Sequence, residues 1–283
     1  MRAGAFVAPP PHPPEERSVV IEILQFTAGA YLVASVLAGA GLALGHASFA
    51  RAAVAALAGA AGLHAVGFSL LHTADPTPPL TNLPMALSFT AWIGTVVYLG
   101  LLVRFRLAGL VALVAPLAFL SVFVATAQLP QVAPAAAAPA AGSLPHAHVL
   151  LASAGLALLG LAGMAGVLFL LEHRRLKRKQ SVARDGLWPS LEALDRVNAF
   201  TLAVGFLLLT LGVVTGGLWV QSLHGVPWTG SAHEIGSVVY WALYGLLVAL
   251  RFGVGQGARR CAANAIVGSL FASVAVLGLE ILA

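Results

Sequence analysis

Eight stretches of this chain are each apolar for roughly 20 residues, the length a helix needs to cross the hydrocarbon core of a bilayer. They run near Val19–Leu44, Phe49–Leu71, Leu83–Val103, Leu107–Ala127, Val149–Leu171, Val197–Val220, Ile235–Leu250 and Ala262–Leu282. Over the whole chain only 9% of residues are charged against 59% hydrophobic, and the mean hydropathy of +0.93 is far above that of a soluble domain. Backbone polar groups in hydrocarbon must be satisfied within the segment, and a helix does this. The expected fold is therefore an all-α integral membrane protein, a polytopic bundle of about eight transmembrane helices.

The basic residues test that count, because Lys and Arg collect in loops on the cytoplasmic side. With eight alternating spans, Arg51, Arg104, Arg106, Arg174, Arg175, Lys177, Arg178, Lys179, Arg184, Arg196, Arg251, Arg259 and Arg260 all fall on one side. Only Arg2 and Arg17 fall on the other. Both termini are then expected to be extracytoplasmic, together with the loops Thr73–Asn82, Gln128–Pro145 and Gln221–Glu234. The net charge of +5 is thus a matter of orientation and not of nucleic-acid binding. The expected location is the bacterial inner membrane, with multiple passes and the lipid bilayer as the main surrounding partner.

Residues 1–18 carry Pro9, Pro10, Pro11, Pro13 and Pro14 without an apolar run, so they read as a disordered tail and not a signal peptide. Residues 19–283 read as a single transmembrane domain. The stretch Gly186–Asn198 has apolar residues at Leu187, Trp188, Leu191, Leu194 and Val197. That spacing fits an amphipathic helix along the membrane surface with Pro189 in its first turn, and it fits a plain connector equally well. Gly155, Gly163 and Gly166, with Ala162 beside them, give the fifth segment a smooth face for helix packing. Cys261 is the one cysteine, which excludes an internal disulfide and any multi-cysteine metal site.

Between the sixth and seventh segments, Thr215–Glu234 reads TGGLWVQSLHGVPWTGSAHE. It places Trp219 and Trp228 beside His224 and His233 at a membrane edge. Aromatic faces next to imidazoles suit a flat, metal-bearing ligand such as haem, whose iron accepts a histidine nitrogen. Six of the nine histidines, His64, His72, His146, His148, His224 and His233, fall in the outward half of the bundle. His64 and His72 are eight residues apart, so they share a helix face about 12 Å apart and do not ligate one ion together. For any single histidine, an interfacial residue bonded to a carbonyl or water is the plainer reading; the group as a whole favours a site. Asp75 and Glu234 are the only acids in the outer loops. No nucleophile motif, phosphate loop or carboxylate pair argues for bond-making catalysis, and no internal repeat argues for a transporter.

Several motifs resemble the cytochrome c assembly membrane proteins of the CcsA/HemX type. PLTNLPMALSFTAW (Pro79–Trp92) resembles that family's P-L-x-N-x-x-E-S-L-x-F-x-x-W, with Met85 and Ala86 in place of Glu-Ser. His148-Val149 resembles its L-H-V segment. LEHRRLKRK (Leu171–Lys179), WPSLEALDRVN and GFLLLTLGVVTGGLW (Gly205–Trp219) are similar as well, and ARRCAANAIVGSLF with the closing LGLEIL resembles the shorter HemX-like branch. The family's loop W-G-x-x-W-x-W-D-P-K-E is eroded: only Gly225, Trp228 and Glu234 match it. The histidine that the family often carries two residues before an arginine is Ala249 here, ahead of Arg251.

The resemblance implies a membrane component of cytochrome c biogenesis that handles haem b at its extracytoplasmic face, alongside other assembly proteins of the same membrane. It makes His148 the expected axial ligand of the haem iron. His224, His233, Trp219 and Trp228 would shape the pocket, and His64 and His72 are further candidates. The competing expectation is a scaffold or regulatory subunit that keeps the fold without haem.

Overall fold

The computed structural model describes residues 14–74, 83–105, 107–128, 143–179 and 188–282. They form eight long helices: α1 (Pro14–Leu44), α2 (Ala47–Ala74), α3 (Leu83–Arg104), α4 (Val111–Gln128), α5 (Ser143–Lys177), α6 (Leu191–His224), α7 (Ala232–Val248) and α8 (Ala258–Leu282). There is no strand among the described residues. The helices α1 to α7 are each long and apolar enough to span a membrane, and the eighth apolar segment forms a helix of 25 residues where the sequence places it. The protein is an all-α polytopic membrane protein.

Successive helices run in opposite directions, so the bundle has two chemically different ends. His72 of α2 meets His146 of α5, and His148 of α5 meets Trp219 of α6, at what is here the histidine end. At the basic end, Arg251 beyond α7 pairs with Asp195 of α6 at 2.8 Å. α5 is the central strut, packed against α3, α6 and α8.

Glycines decide how closely α5 approaches its neighbours. A Cβ on Gly155 would lie 2.7 Å from the Leu209 backbone nitrogen, and one on Gly212 would lie 2.9 Å from the Ala152 backbone. On another side, a Cβ on Gly166 would come within 2.6 Å of the Ala262 carbonyl oxygen of α8. The expected smooth face is therefore two faces. Gly155 admits α6, whereas Gly163 and Gly166 admit α8. Without a hydrophobic force between helices in lipid, such backbone-to-backbone packing supplies much of the association.

Helix ends depart from the sequence reading where polar residues continue a helix. α1 already begins at Pro14, so residues 14–18 are helical and not part of a tail; residues 1–13 lie outside the described residues. Over residues 188–198 the connector reading holds and the surface-helix reading does not. Pro189 instead precedes the cap Ser190, whose Oγ accepts from the Ala193 N–H at 3.1 Å, and α6 starts at Leu191. Leu194 and Val197 are both 0% exposed, because the apolar stripe faces the bundle core and not a membrane surface. Residues Gly186 and Leu187 lie outside the described residues.

Candidate functional site

At the histidine end, α6 packs against both α5 and α7, leaving a cleft of about 380 Å³ along the three helices. Small-molecule sites usually occupy about 300–1,000 Å³. α5 contributes His148, Ala152 and Leu156, which recur every four residues on the helix face turned to α6. α7 contributes His233 and Tyr240, and Trp219 and Trp228 supply aromatic surface.

The imidazole of His148 is fixed by α6. Its Nδ1–H donates to the Gly212 carbonyl oxygen at 2.7 Å. A carbonyl only accepts, so the proton sits on Nδ1 and the lone pair on Nε2, the arrangement in which histidine serves as a metal ligand. Gly216 makes room for this ring: a Cβ there would lie 2.8 Å from both His148 Cε1 and Nδ1. The Trp219 ring stands 5.9 Å from the His148 ring, tilted by 43°. His233, in the first turn of α7, lines the same cleft.

The loop carrying Trp228 is held by one carboxylate. Glu234 accepts from the Thr229 N–H, the Gly230 N–H and the Thr229 hydroxyl, each at 2.8 Å. Ser231 caps α7 and its Oγ accepts from the Glu234 N–H at 3.3 Å. Ser231 and Glu234 thus have the spacing of a capping box, with the carboxylate reaching further back than usual. Gly225 ends α6 at φ 74°, a left-handed conformation that glycine takes without strain. Gly225 and Glu234, two of the three positions that match the family motif, build the loop. Trp228, 47% exposed, is what that loop presents.

Of the seven sequence-derived candidates, four meet at the cleft: His148, His233, Trp219 and Trp228. His224 does not join them. It sits exposed on the last turn of α6, where its Nδ1 donates to the Val220 carbonyl at 3.3 Å. His72 lies at the end of α2, its ring 5.7 Å from that of His146 and nearly perpendicular to it. His64 is 0% exposed, far along α2 and packed between α1 and α3. Its Nδ1 is 3.3 Å from the Tyr31 hydroxyl, its Nε2 is 3.1 Å from Ser88 Oγ, and its ring stacks on Phe68. At Ala249, where the family often has histidine, a π-turn Ala249–Gly253 begins and carries Arg251 to Asp195. The sequence reading missed Gly212, Gly216 and the Glu234 clamp; of these only the Ser231–Glu234 spacing was a readable signal.

Fold and site together define a polytopic helical membrane protein with an imidazole- and tryptophan-lined cleft at one end. The chain belongs to the cytochrome C assembly protein family, whose model matches residues 80–283. It is 30% identical over 233 residues to the cytochrome c biogenesis protein CcsA of Prochlorococcus marinus (strain MIT 9303), covering 72% of this chain and 73% of that protein. The CcsA proteins of Prochlorococcus marinus (strain MIT 9313) and Synechococcus sp. (strain RCC307) are 30% and 29% identical, with the same 72% and 73% coverage. Membership gives the chain a role in cytochrome c biogenesis, and with it an involvement with haem in general.

Proposed function

We propose that the chain binds haem b transiently in the cleft between α5, α6 and α7. It then presents the haem at the extracytoplasmic face of a bacterial inner membrane, to other membrane proteins of cytochrome c assembly. The observation that carries this reading is the hydrogen bond from His148 Nδ1 to the Gly212 carbonyl, which leaves Nε2 as the basic nitrogen beside the cleft. Haem supplies an iron whose axial positions take imidazole nitrogen. The donor set fits that need: His148 from α5 would hold the iron, and His233 from α7, on the same cleft, would offer a second nitrogen. Trp219 and Trp228 offer the flat surface that a porphyrin packs against. The sidedness rests on the basic residues, which gather at the opposite end of the bundle and mark that end as cytoplasmic; both termini are then extracytoplasmic.

The test is the absorption spectrum of the detergent-purified chain, as isolated and after haem is added, beside His148→Ala. The expected result is a Soret band that weakens or shifts in the variant. A flat spectrum in both proteins would leave a scaffold or regulatory subunit of a membrane complex as the function.

A further inference from the structure

At the basic end, the last turns of α5 and the first turn of α8 enclose a second cavity of about 840 Å³. His173, Arg174 and Lys177 reach it from α5, and Arg259 and Arg260 reach it from α8. The amino-terminal end of α8 adds its own partial positive charge. Leu170 gives the cavity an apolar side toward the bundle.

The nearby acids among the described residues pair elsewhere. Glu172 pairs with Arg175 at 3.1 Å, Glu192 with Arg196 at 2.5 Å and Asp195 with Arg251 at 2.8 Å. Among the described residues, no carboxylate pairs with Arg174, Lys177, Arg259 or Arg260. The orienting effect of cytoplasmic charge accounts for basic residues splayed into water. It does not by itself place four of them, from two helices, around one cavity. Guanidinium groups bind phosphate oxygens in pairs, and an ammonium adds a point charge. A cationic cavity at the basic end of a helix pair, with Leu170 in its lining, has the chemistry of a site for an acidic lipid headgroup.

We propose that this cavity holds the phosphate headgroup of an anionic phospholipid, at a site separate from the cleft at the histidine end. The experiment is native mass spectrometry of the full chain in detergent, with phosphatidylglycerol or phosphatidylcholine added. Phosphatidylglycerol adducts are expected to dominate and to weaken as salt is raised. At about fivefold per basic residue, R259Q/R260Q is expected to weaken phosphatidylglycerol binding about thirtyfold. R178Q/K179Q removes the same charge from exposed residues outside the cavity and is expected to change binding little. Equal loss in both double variants, or equal adducts with the two lipids, would overturn the proposal. Inorganic phosphate is then titrated against the loaded protein. No displacement is expected, and displacement would assign the cavity to a soluble phosphate ester and overturn the lipid assignment. All four substituted side chains are exposed and lack ion pairs among the described residues, so loss of fold does not confuse the comparison.

Discussion

His64 and His148 both lie within helices of the bundle, yet their surroundings give them opposite capacities. His64 is enclosed by α1, α2 and α3, with Tyr31 and Ser88 on its two nitrogens and Phe68 against its face. Nothing is left over for a ligand. His148 uses one nitrogen on a backbone carbonyl and keeps the other beside a cleft. The family match begins at residue 80, so it covers His148 and leaves His64 outside. The difference teaches that depth in the membrane does not mark a functional histidine. What marks it is the number of ring nitrogens the protein has already occupied.

Five substitutions sharpen or break this contrast. The largest effect on stability is expected at His64. His64→Ala leaves the Tyr31 hydroxyl and Ser88 without their partner and should lower stability by about 1–3 kcal/mol, read as a fall in melting temperature in detergent. Its haem spectrum should match that of the parent, whereas His148→Ala should weaken or shift the Soret band and cost less stability, since the Gly212 carbonyl still accepts from the Thr215 hydroxyl at 3.0 Å. A His64 variant that lost haem while staying folded would erase the distinction between the two sites.

Gly216→Ala comes next. Its new methyl group must displace the His148 ring, and haem affinity should fall about 10- to 100-fold, the usual effect of disturbing a group that orients a metal ligand. Equilibrium haem titration measures it, and unchanged affinity would mean that the ring does not lie against α6. Glu234→Ala removes the clamp on the Trp228 loop along with the capping partner of Ser231, at about 1 kcal/mol. The expected readout is a change in tryptophan fluorescence with α7 still helical. His224→Ala should do least: no measurable change in haem affinity, since the residue lies outside the cleft. A loss comparable to that of His148→Ala would bring the α6 terminus into the site.

The fold was legible because crossing a bilayer demands long apolar runs, and the one-sided placement of arginine and lysine checks how many there are. Helix ends were less legible. α5 runs from Ser143 to Lys177, well past its apolar stretch, because a helix continues into polar residues until a cap or breaker stops it. Leu194 and Val197 fit a surface helix and a plain connector equally well for a similar reason: spacing gives a stripe but does not say what the stripe faces. At the site, His148 and Trp228 could be read from motif resemblance and His233 from the loop. His224 could not be separated from His233, since the seven loop residues 225–231 decide which of them enters the cleft. Gly216 was equally hidden, because the need for a missing side chain depends on a ring that arrives from another helix.

The Glu234 clamp bears on the thermodynamics of whatever enters the cleft. Three hydrogen bonds and a cap hold the segment from Thr229 to Glu234 within a single turn of chain. Fixing a flexible backbone opposes association by about 1–2 kcal/mol per residue when it happens on binding. Here that ordering belongs to folding, so a ligand meets Trp228 already in position, and weak contacts suffice to retain it for a short time.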